Sequence, residues 1–248
     1  MNKIKITFVI VLASLFTFVY YVYRLNQHIV VFCDVGQGAA TLFQIGTMQV
    51  LVDAGPDGRV LSCLGKYMPY FDTTIEVVII SHDQKDHCGG LLSILNKYSV
   101  QKIFGPPLSK KAYRMTQYIE IHDQLVFSYA SYVFKIKKSS QSSDKNESAN
   151  IVSIFSPSNT YFISSDISAL ELYRLMPPET TVLEVPHHGS KYGLSPLSLS
   201  LAHPALAVIS VGKYNVYGHP SNEALAVLKA KKIPFLRTDT QGDIVLPL

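Results

Sequence analysis

Three apolar runs in this chain stop abruptly on turns that carry histidine or aspartate, and no other feature restricts the possible folds as much. Ile75-Glu76-Val77-Val78-Ile79-Ile80 leads into "SHDQKDHCGG", Tyr161-Phe162-Ile163 into "SSD", and Val182-Leu183-Glu184-Val185 into "PHHGS". Short apolar runs rich in β-branched residues read as buried strands, and a sheet presents functional groups beyond the carboxyl ends of its strands. Histidine is an uncommon turn residue, so three solvated turns account poorly for the pattern. A fold that brings these strand ends to one edge gathers His82, Asp86, His87, Asp166, His187 and His188 in one place.

The rest of the pattern suits such a fold. Ile29–Cys33, Thr41–Ile45 and Gln49–Val52 read as strands before the first histidine turn. Leu125–Phe127, Tyr132–Ile136, Ile151–Phe155, Ala207–Val211 and Ile244–Leu246 form a second series. Helical apolar spacing marks residues 58–68, 89–98, Ala169–Leu175 and Asn222–Lys231. Two series of strands, each accompanied by helices, predict two sheets packed face to face with helices outside, an αββα sandwich over residues 29–248. With 48% hydrophobic and 16% charged residues in 248, the chain can bury a core of that size, which excludes general disorder. The serine-rich stretch Lys137–Asn150 reads as a mobile surface loop.

The first 28 residues are of another kind. Ile6–Tyr23 is an uncharged apolar stretch of about the length that crosses hydrocarbon, preceded by Lys3 and Lys5 and ended by Arg24. It closes on Tyr20-Tyr21-Val22-Tyr23 rather than on the small residues of a cleavage site, so an uncleaved signal anchor is expected, with secretion after cleavage as the alternative. The excess of positive charge before the stretch places the amino terminus in the cytoplasm and the domain outside it, giving a single-pass protein of the cell membrane.

Composition narrows the chemistry further. Cys33, Cys63 and Cys88 lie far apart with no C-x-x-C pair, so neither a thiolate metal site nor a disulfide framework is expected, and Cys88 reads as a small buried apolar residue. The net charge of +4 suits a polyanionic substrate or an anionic membrane surface, but it is scattered, and no aromatic stacking platform is evident. "VGQGAAT" lacks the spacing of a phosphate-binding loop and leads into a strand rather than a helix.

Imidazole and carboxylate donors at the three strand ends suit zinc or manganese. Asp34 and Asp53 also end apolar runs; each either orients a histidine ligand or caps its own turn. His219, between Gly218 and Pro220, is either a surface turn residue or a fourth contributor to the site. The sequence does not decide which of His187 and His188 faces a metal.

"FCDVGQGAATLF", "VLVDAG", "VVIISHDQKDHCGGL", "FISSDIS", "EVPHHGSKYGLS", "ISVGKYNVYGHPS" and "RTDTQGDI" occur in the order found in the metallo-β-lactamase-like domain of ComEC-type competence proteins, which this chain resembles from residue 29 onward. The resemblance implies a metal-dependent hydrolase, a nuclease or other phosphodiesterase acting on DNA, and DNA-uptake machinery as a partner. It carries over to His82, Asp86, His87, Asp166 and His188 as metal positions, with Asp166 placed to bridge if two ions bind. Asp86, His187 and His219 become the residues nearest the chemistry. The chain departs from that family at Ala39 and Gln84, where ComEC-type proteins usually carry acids. Gln84 is therefore expected beside the metal rather than on it, and one ion is expected rather than two. The same fold also serves hydrolysis of other esters, thioesters and lactams, and a binding protein that has lost catalysis is a third reading.

Overall fold

The computed structural model describes residues 3–107, 116–140 and 148–248. Residues 1–2, 108–115 and 141–147 lie outside them, and with them part of the basic amino terminus and half of the serine-rich stretch expected to be a mobile loop. Helix α1 (Lys3–Leu25) comes first, and its stretch Ile6–Tyr23 is long and apolar enough to cross a membrane. Then follow β1 (His28–Phe32), β2 (Thr41–Ile45), β3 (Met48–Val52), α2 (Val60–Tyr67), β4 (Thr74–Ile79), α3 (Lys85–Cys88), α4 (Leu91–Lys97), β5 (Ser99–Gly105) and β6 (Gln117–Glu120). The second half contains β7 (Gln124–Tyr129), β8 (Tyr132–Lys138), β9 (Asn150–Phe155), β10 (Thr160–Ile163), α5 (Ala169–Leu175), β11 (Val182–Glu184), β12 (Leu206–Ile209), α6 (Asn222–Ala230), β13 (Phe235–Arg237), α7 (Thr238–Gln241) and β14 (Ile244–Pro247).

These strands form two sheets of seven, ordered β14-β1-β2-β3-β4-β5-β6 and β13-β12-β11-β10-β9-β8-β7. Between the sheets lie Phe32, Phe43, Val50, Ile79, Phe134, Ile154 and Tyr161. The opposite face of the first sheet packs Val31, Leu51 and Val78 against Val60 and Leu64 of α2 and Leu91 and Ile94 of α4. The second sheet packs Phe162, Leu183 and Ile209 against Leu172 of α5 and Leu228 of α6. Neighbouring residues such as Val30 and Val31 thus enter different cores, which is why the central strands read as continuous apolar runs rather than alternating ones. The four layers are helix, sheet, sheet, helix, as the pattern predicts.

Departures occur where this double burial fails. β5 is not legible in the sequence because Gln101 and Lys102 are exposed in mid-strand, and β6 and β13 end their sheets half in solvent. The serine-rich stretch is also shorter than predicted: Lys137 and Lys138 belong to β8, and Asn150 is buried as the first residue of β9.

The cysteine expectation is overturned. Cys33, just past β1, and Cys63, on α2, form a disulfide with Cα atoms 5.8 Å apart. The two positions share the core under α2, and a spacing of 30 residues gives no hint of that. Cys88 is only half-buried; its Sγ donates to Asp83 Oδ1 at 3.7 Å, and burial, aided by Asp83, pushes the thiol up to about 11. A Cys63→Ser variant is expected to lose about 3–4 kcal/mol of unfolding free energy, the loop-closure contribution of such a bridge. Urea titrations check this, and the reduced wild-type protein should then match the variant's midpoint.

Candidate metal centre

Five strands deliver the centre to one edge of the sandwich. In the first sheet β3 and β4 run parallel, ending at Asp53 and at Ser81-His82, with α3 carrying Asp86 and His87 immediately after. In the second, β10, β11 and β12 run parallel, ending at Asp166, at the Pro186–Gly189 turn with His187 and His188, and at Ser210. Asp53, Ser165, His187 and His188 all adopt left-handed backbone conformations, with φ of 60°, 53°, 53° and 54°. Such conformations strain non-glycine residues and persist where the surroundings over-determine them, often at functional sites.

The geometry is ordered around Asp166, which is buried. Its Oδ1 lies 3.2 Å from His87 Nε2 and 3.8 Å from His188 Nε2. Its Oδ2 lies 3.8 Å from His82 Nε2 and 3.7 Å from His187 Nε2. His188 Nε2 is also 3.4 Å from Asp86 Oδ2. One ligand atom each from Asp86, His87, Asp166 and His188 falls within 4.8 Å of the others. His188 therefore joins this group, and His187, at 35% side-chain exposure, stands at its rim.

Each imidazole is turned by its other nitrogen. His87 Nδ1 donates to Asp53 Oδ2 at 2.7 Å, while Asp53 is itself fixed by the Ser81 N–H (2.8 Å) and hydroxyl (2.7 Å). His188 Nδ1 donates to the Ser210 carbonyl at 2.8 Å. His82 Nδ1 lies 3.0 Å from Ser81 Oγ and 3.2 Å from Ser165 Oγ. Outward-bonded nitrogens of this kind set the ring orientation and tautomer of a metal-ligating histidine. The inward atoms His82 Nε2, His87 Nε2, His188 Nε2 and Asp166 Oδ1 are buried without a hydrogen-bond partner. Buried polar atoms are nearly always paired, so this His/Asp cluster fits a divalent metal ion.

Electrostatics give the same picture. Burial opposes a charge on His87, but Asp166 and Asp53 outweigh it and hold the imidazolium pKa well above its ordinary value. His188 is raised against burial by the nearby carboxylates of Asp166 and Asp86. Burial would raise the Asp166 carboxyl, yet His87 and His188 hold it well below the usual carboxylate range. His82 is pushed down to about 4 by burial and then by the charge on His87. His219 is lowered by burial and by His187.

Other residues singled out in the sequence fall as follows. Asp34 is exposed and its Oδ1 accepts from the Gly36 N–H, so the structure gives it the turn-cap role and not that of orienting a histidine. Gln84 caps the start of α3, its carbonyl accepting from the His87 and Cys88 N–H groups. The Ala39 N–H donates to the Asp86 carbonyl, and a Cβ on neighbouring Gly38 would meet that carbonyl at 2.4 Å. "VGQGAAT" is thus a brace for Asp86. His219 lies with its ring centroid 6.0 Å from that of His187, and Tyr217 stacks on it at 5.9 Å.

Sequence reasoning missed Glu184, Ser210 and Asn150. Ser210 Oγ donates to Glu184 Oε1 at 2.6 Å, so a buried carboxyl supports the residue that orients His188. The signal for Glu184 was an acid inside the run Val182–Val185. Asn150 Nδ2 donates to the Ile80 carbonyl, tying the second sheet to the histidine turn. Tyr214 and Tyr217 are 87% and 66% exposed, and Lys213 and Lys191 lie over the rings of Tyr214 and Tyr192.

The sandwich has the metallo-β-lactamase fold. The chain superposes on the metallo-beta-lactamase fold protein YhfI of Bacillus subtilis with a TM-score of 0.59 at 16% identity, covering 85% of this chain and 96% of that one. In sequence it is similar to Recombination protein 2 of Haemophilus influenzae, 26% identical over 219 residues that make up 85% of this chain and 28% of that protein. It is also similar to ComE operon protein 3 of Bacillus subtilis, 24% identical over 187 residues, 68% of this chain and 24% of that protein. The resemblance to ComEC-type proteins is borne out, and the chain spans about a quarter of the length of these curated relatives. No protein-family model matches it.

The carboxylates that raise His87 and His188 make metal uptake compete with protons at these imidazoles. Loading metal-stripped protein with Zn²⁺ near neutral pH is expected to release roughly one to two protons per ion, read as a dependence of the titration enthalpy on the buffer's ionisation heat. Glu184 gives a separate signature. Burial pushes its carboxyl from an ordinary 4.5 up to about 7, against the hydrogen bond from Ser210. A carboxyl raised on folding favours the fold only while protonated, so metal-stripped protein should lose stability as pH rises from the unfolded value through the folded one. The loss is on the order of 2–3 kcal/mol, and Glu184→Gln should flatten it in denaturant titrations across that range.

Proposed function

We propose that this chain is a membrane-anchored, metal-dependent phosphodiesterase acting on DNA outside the cytoplasm, with one divalent ion, zinc or manganese, on Asp86, His87, Asp166 and His188. The observation that carries the reading is the convergence of His87 Nε2, His188 Nε2 and Asp166 Oδ1, buried and unpartnered, beside Asp86. A divalent ion held there supplies a water nucleophile at neutral pH and draws off charge that develops on a phosphoryl oxygen. Asp53 and Ser210 hold the two imidazoles in place, and the brace at Ala39 fixes Asp86. His187 and His219, at the open side, bind the non-bridging oxygens and pass a proton to the leaving oxygen. His82 lies against the other oxygen of Asp166, and the nearby position that carries an acid in ComEC-type proteins is Gln84 here.

DNA is favoured by two further points. The relatives are recombination and competence proteins by name, which suggests a place with the DNA-uptake machinery. The segments that follow His188 and Ser210 carry Lys191, Tyr192, Lys213, Tyr214 and Tyr217, the last stacked on His219, and aromatic faces interleaved with lysine suit unstacked bases beside a phosphate backbone. Membrane attachment rests on α1, and the outward side on the Cys33–Cys63 bridge, since disulfides persist in oxidising compartments.

Purified protein loaded with Mn²⁺ or Zn²⁺ is expected to cleave DNA, and Asp166→Ala to lose about a hundredfold or more in rate, as it removes the carboxylate shared by four imidazoles. Equal rates for the two proteins would exclude the mechanism. Tyr217→Ala is expected to weaken binding of a single strand by about 1–3 kcal/mol, measured by fluorescence anisotropy, with metal content unchanged.

A further inference from the structure

Tyr70 and Phe71 are 85% and 75% exposed, adjoining aromatic rings on the turn between α2 and β4. They face α1 rather than the sandwich core. The Phe71 ring meets Tyr21 with centroids 6.1 Å apart, and Tyr70 packs edge-on against Phe71 at 4.8 Å. One apolar cleft is bounded by Thr17, Tyr20 and Tyr21 with Met68, Tyr70 and Phe71, and a second by Ile10, Ala13, Ser14 and Phe18 with Phe71 again.

The position along α1 sets a depth. Tyr21, the ring that Phe71 meets, precedes Tyr23, the last residue of the apolar stretch, by two residues, about 3 Å along a helix axis, and the clefts run on from there past Thr17 to Ile10, about 9 and 20 Å from Tyr23. If α1 crosses the bilayer, Tyr70 and Phe71 lie just inside the boundary of headgroups and acyl chains, where apolar side chains of membrane-surface segments sit about 5–10 Å deep. Aromatic rings are the favoured side chains there. The topology agrees. β1 and β3 each pair antiparallel with β2, and β4 pairs parallel with β3, so β1 and β4 run in the same direction. Their starts, His28 after α1 and Thr74 after Phe71, lie on one edge of the sheet. Asp86 and His87 follow the end of β4 on the other edge, about 20 Å away for a strand of this length.

We propose that the Tyr70–Phe71 turn is a second membrane contact, inserted into the interface of the leaflet from which the domain emerges. The partner is the phospholipid bilayer. Two points of attachment on one edge hold the domain so that the metal centre on the opposite edge faces the aqueous phase. This rests on the reading of α1 as a membrane anchor.

The chain contains no tryptophan, so Phe71→Trp gives a single reporter in the full chain reconstituted into phosphatidylcholine–phosphatidylglycerol vesicles. Its emission is expected to be blue-shifted from that of Tyr214→Trp and to lose roughly half its intensity to lipids brominated on the upper acyl chain, the depth proposed. Tyr214→Trp, on the edge of the metal centre, is expected to be untouched by brominated lipid and open to iodide. Carbonate extraction separates the two levels of failure. Release of the wild-type chain from the vesicles removes the anchor reading and the proposal with it. Retention of the chain, with the indole of Phe71→Trp open to iodide and unquenched by brominated lipid, overturns the membrane contact alone. A blue shift without lipid quenching that grows with the protein-to-lipid ratio overturns it in favour of a second copy.

Discussion

The Asp166 carboxylate is the charge around which the two sheets are arranged. It is buried, and its two oxygens face different pairs of imidazoles, His87 and His188 on Oδ1 and His82 and His187 on Oδ2. An ionised carboxylate in such a place is tolerated only if neighbouring positive charge offsets its lost hydration. Both sheets contribute: His82 and His87 come from the first, Asp166, His187 and His188 from the second. The sandwich therefore closes over a polar centre as well as an apolar one, and Asn150 Nδ2 on the Ile80 carbonyl joins the sheets beside it.

The backbone around this charge is held in conformations that an isolated chain avoids. Asp53, Ser165, His187 and His188 are each left-handed, at a cost of order 1–3 kcal/mol apiece. Hydrogen bonds local to the turns offset part of this: the His187 N–H donates to the Ser165 carbonyl, so two strained residues secure one another. The rest comes from strands buried on both faces, which leave the turns little freedom to relax. The orienting bonds Asp53 to His87 and Ser210 to His188 act on rings whose backbone is already fixed.

How much of this the sequence disclosed follows from burial. Strands buried on both faces, such as β1, β3 and β10, are continuous apolar runs and are legible with their ends within a residue or two. β5, β6 and β13 carry polar residues at or toward the sheet edges, and periodicity passes over such strands. The candidate positions are legible because histidine is an uncommon turn residue, so its recurrence after apolar runs stands out. Their orienting partners are legible only in part: Asp53 follows a strand and stands out, whereas Ser210 acts through a backbone carbonyl, which has no signature in side-chain identity. Glu184 is an acid among apolar neighbours, and by pattern alone it reads as one more strand residue. The Cys33–Cys63 bridge depends on α2 folding back beside β1, a tertiary fact that spacing does not encode.

The two departures from the ComEC-type motif bear differently on the proposed centre. Ala39 is needed there for its N–H, which any non-proline residue supplies, and its small side chain leaves the brace on Asp86 intact. Gln84 changes the charge. On the Oδ1 side of Asp166 a divalent ion would be held by residues that include two carboxylates, those of Asp86 and Asp166, enough to neutralise it in a buried setting. On the Oδ2 side the donors are the imidazoles of His82 and His187 and a carboxylate oxygen already shared, which would leave a second ion's charge largely uncompensated. Burial and the charge on His87 keep His82 unprotonated at neutral pH, so it adds no positive charge of its own to that side. The asymmetry around one carboxylate, rather than the loss of a motif residue as such, is the physical ground for proposing one ion rather than two.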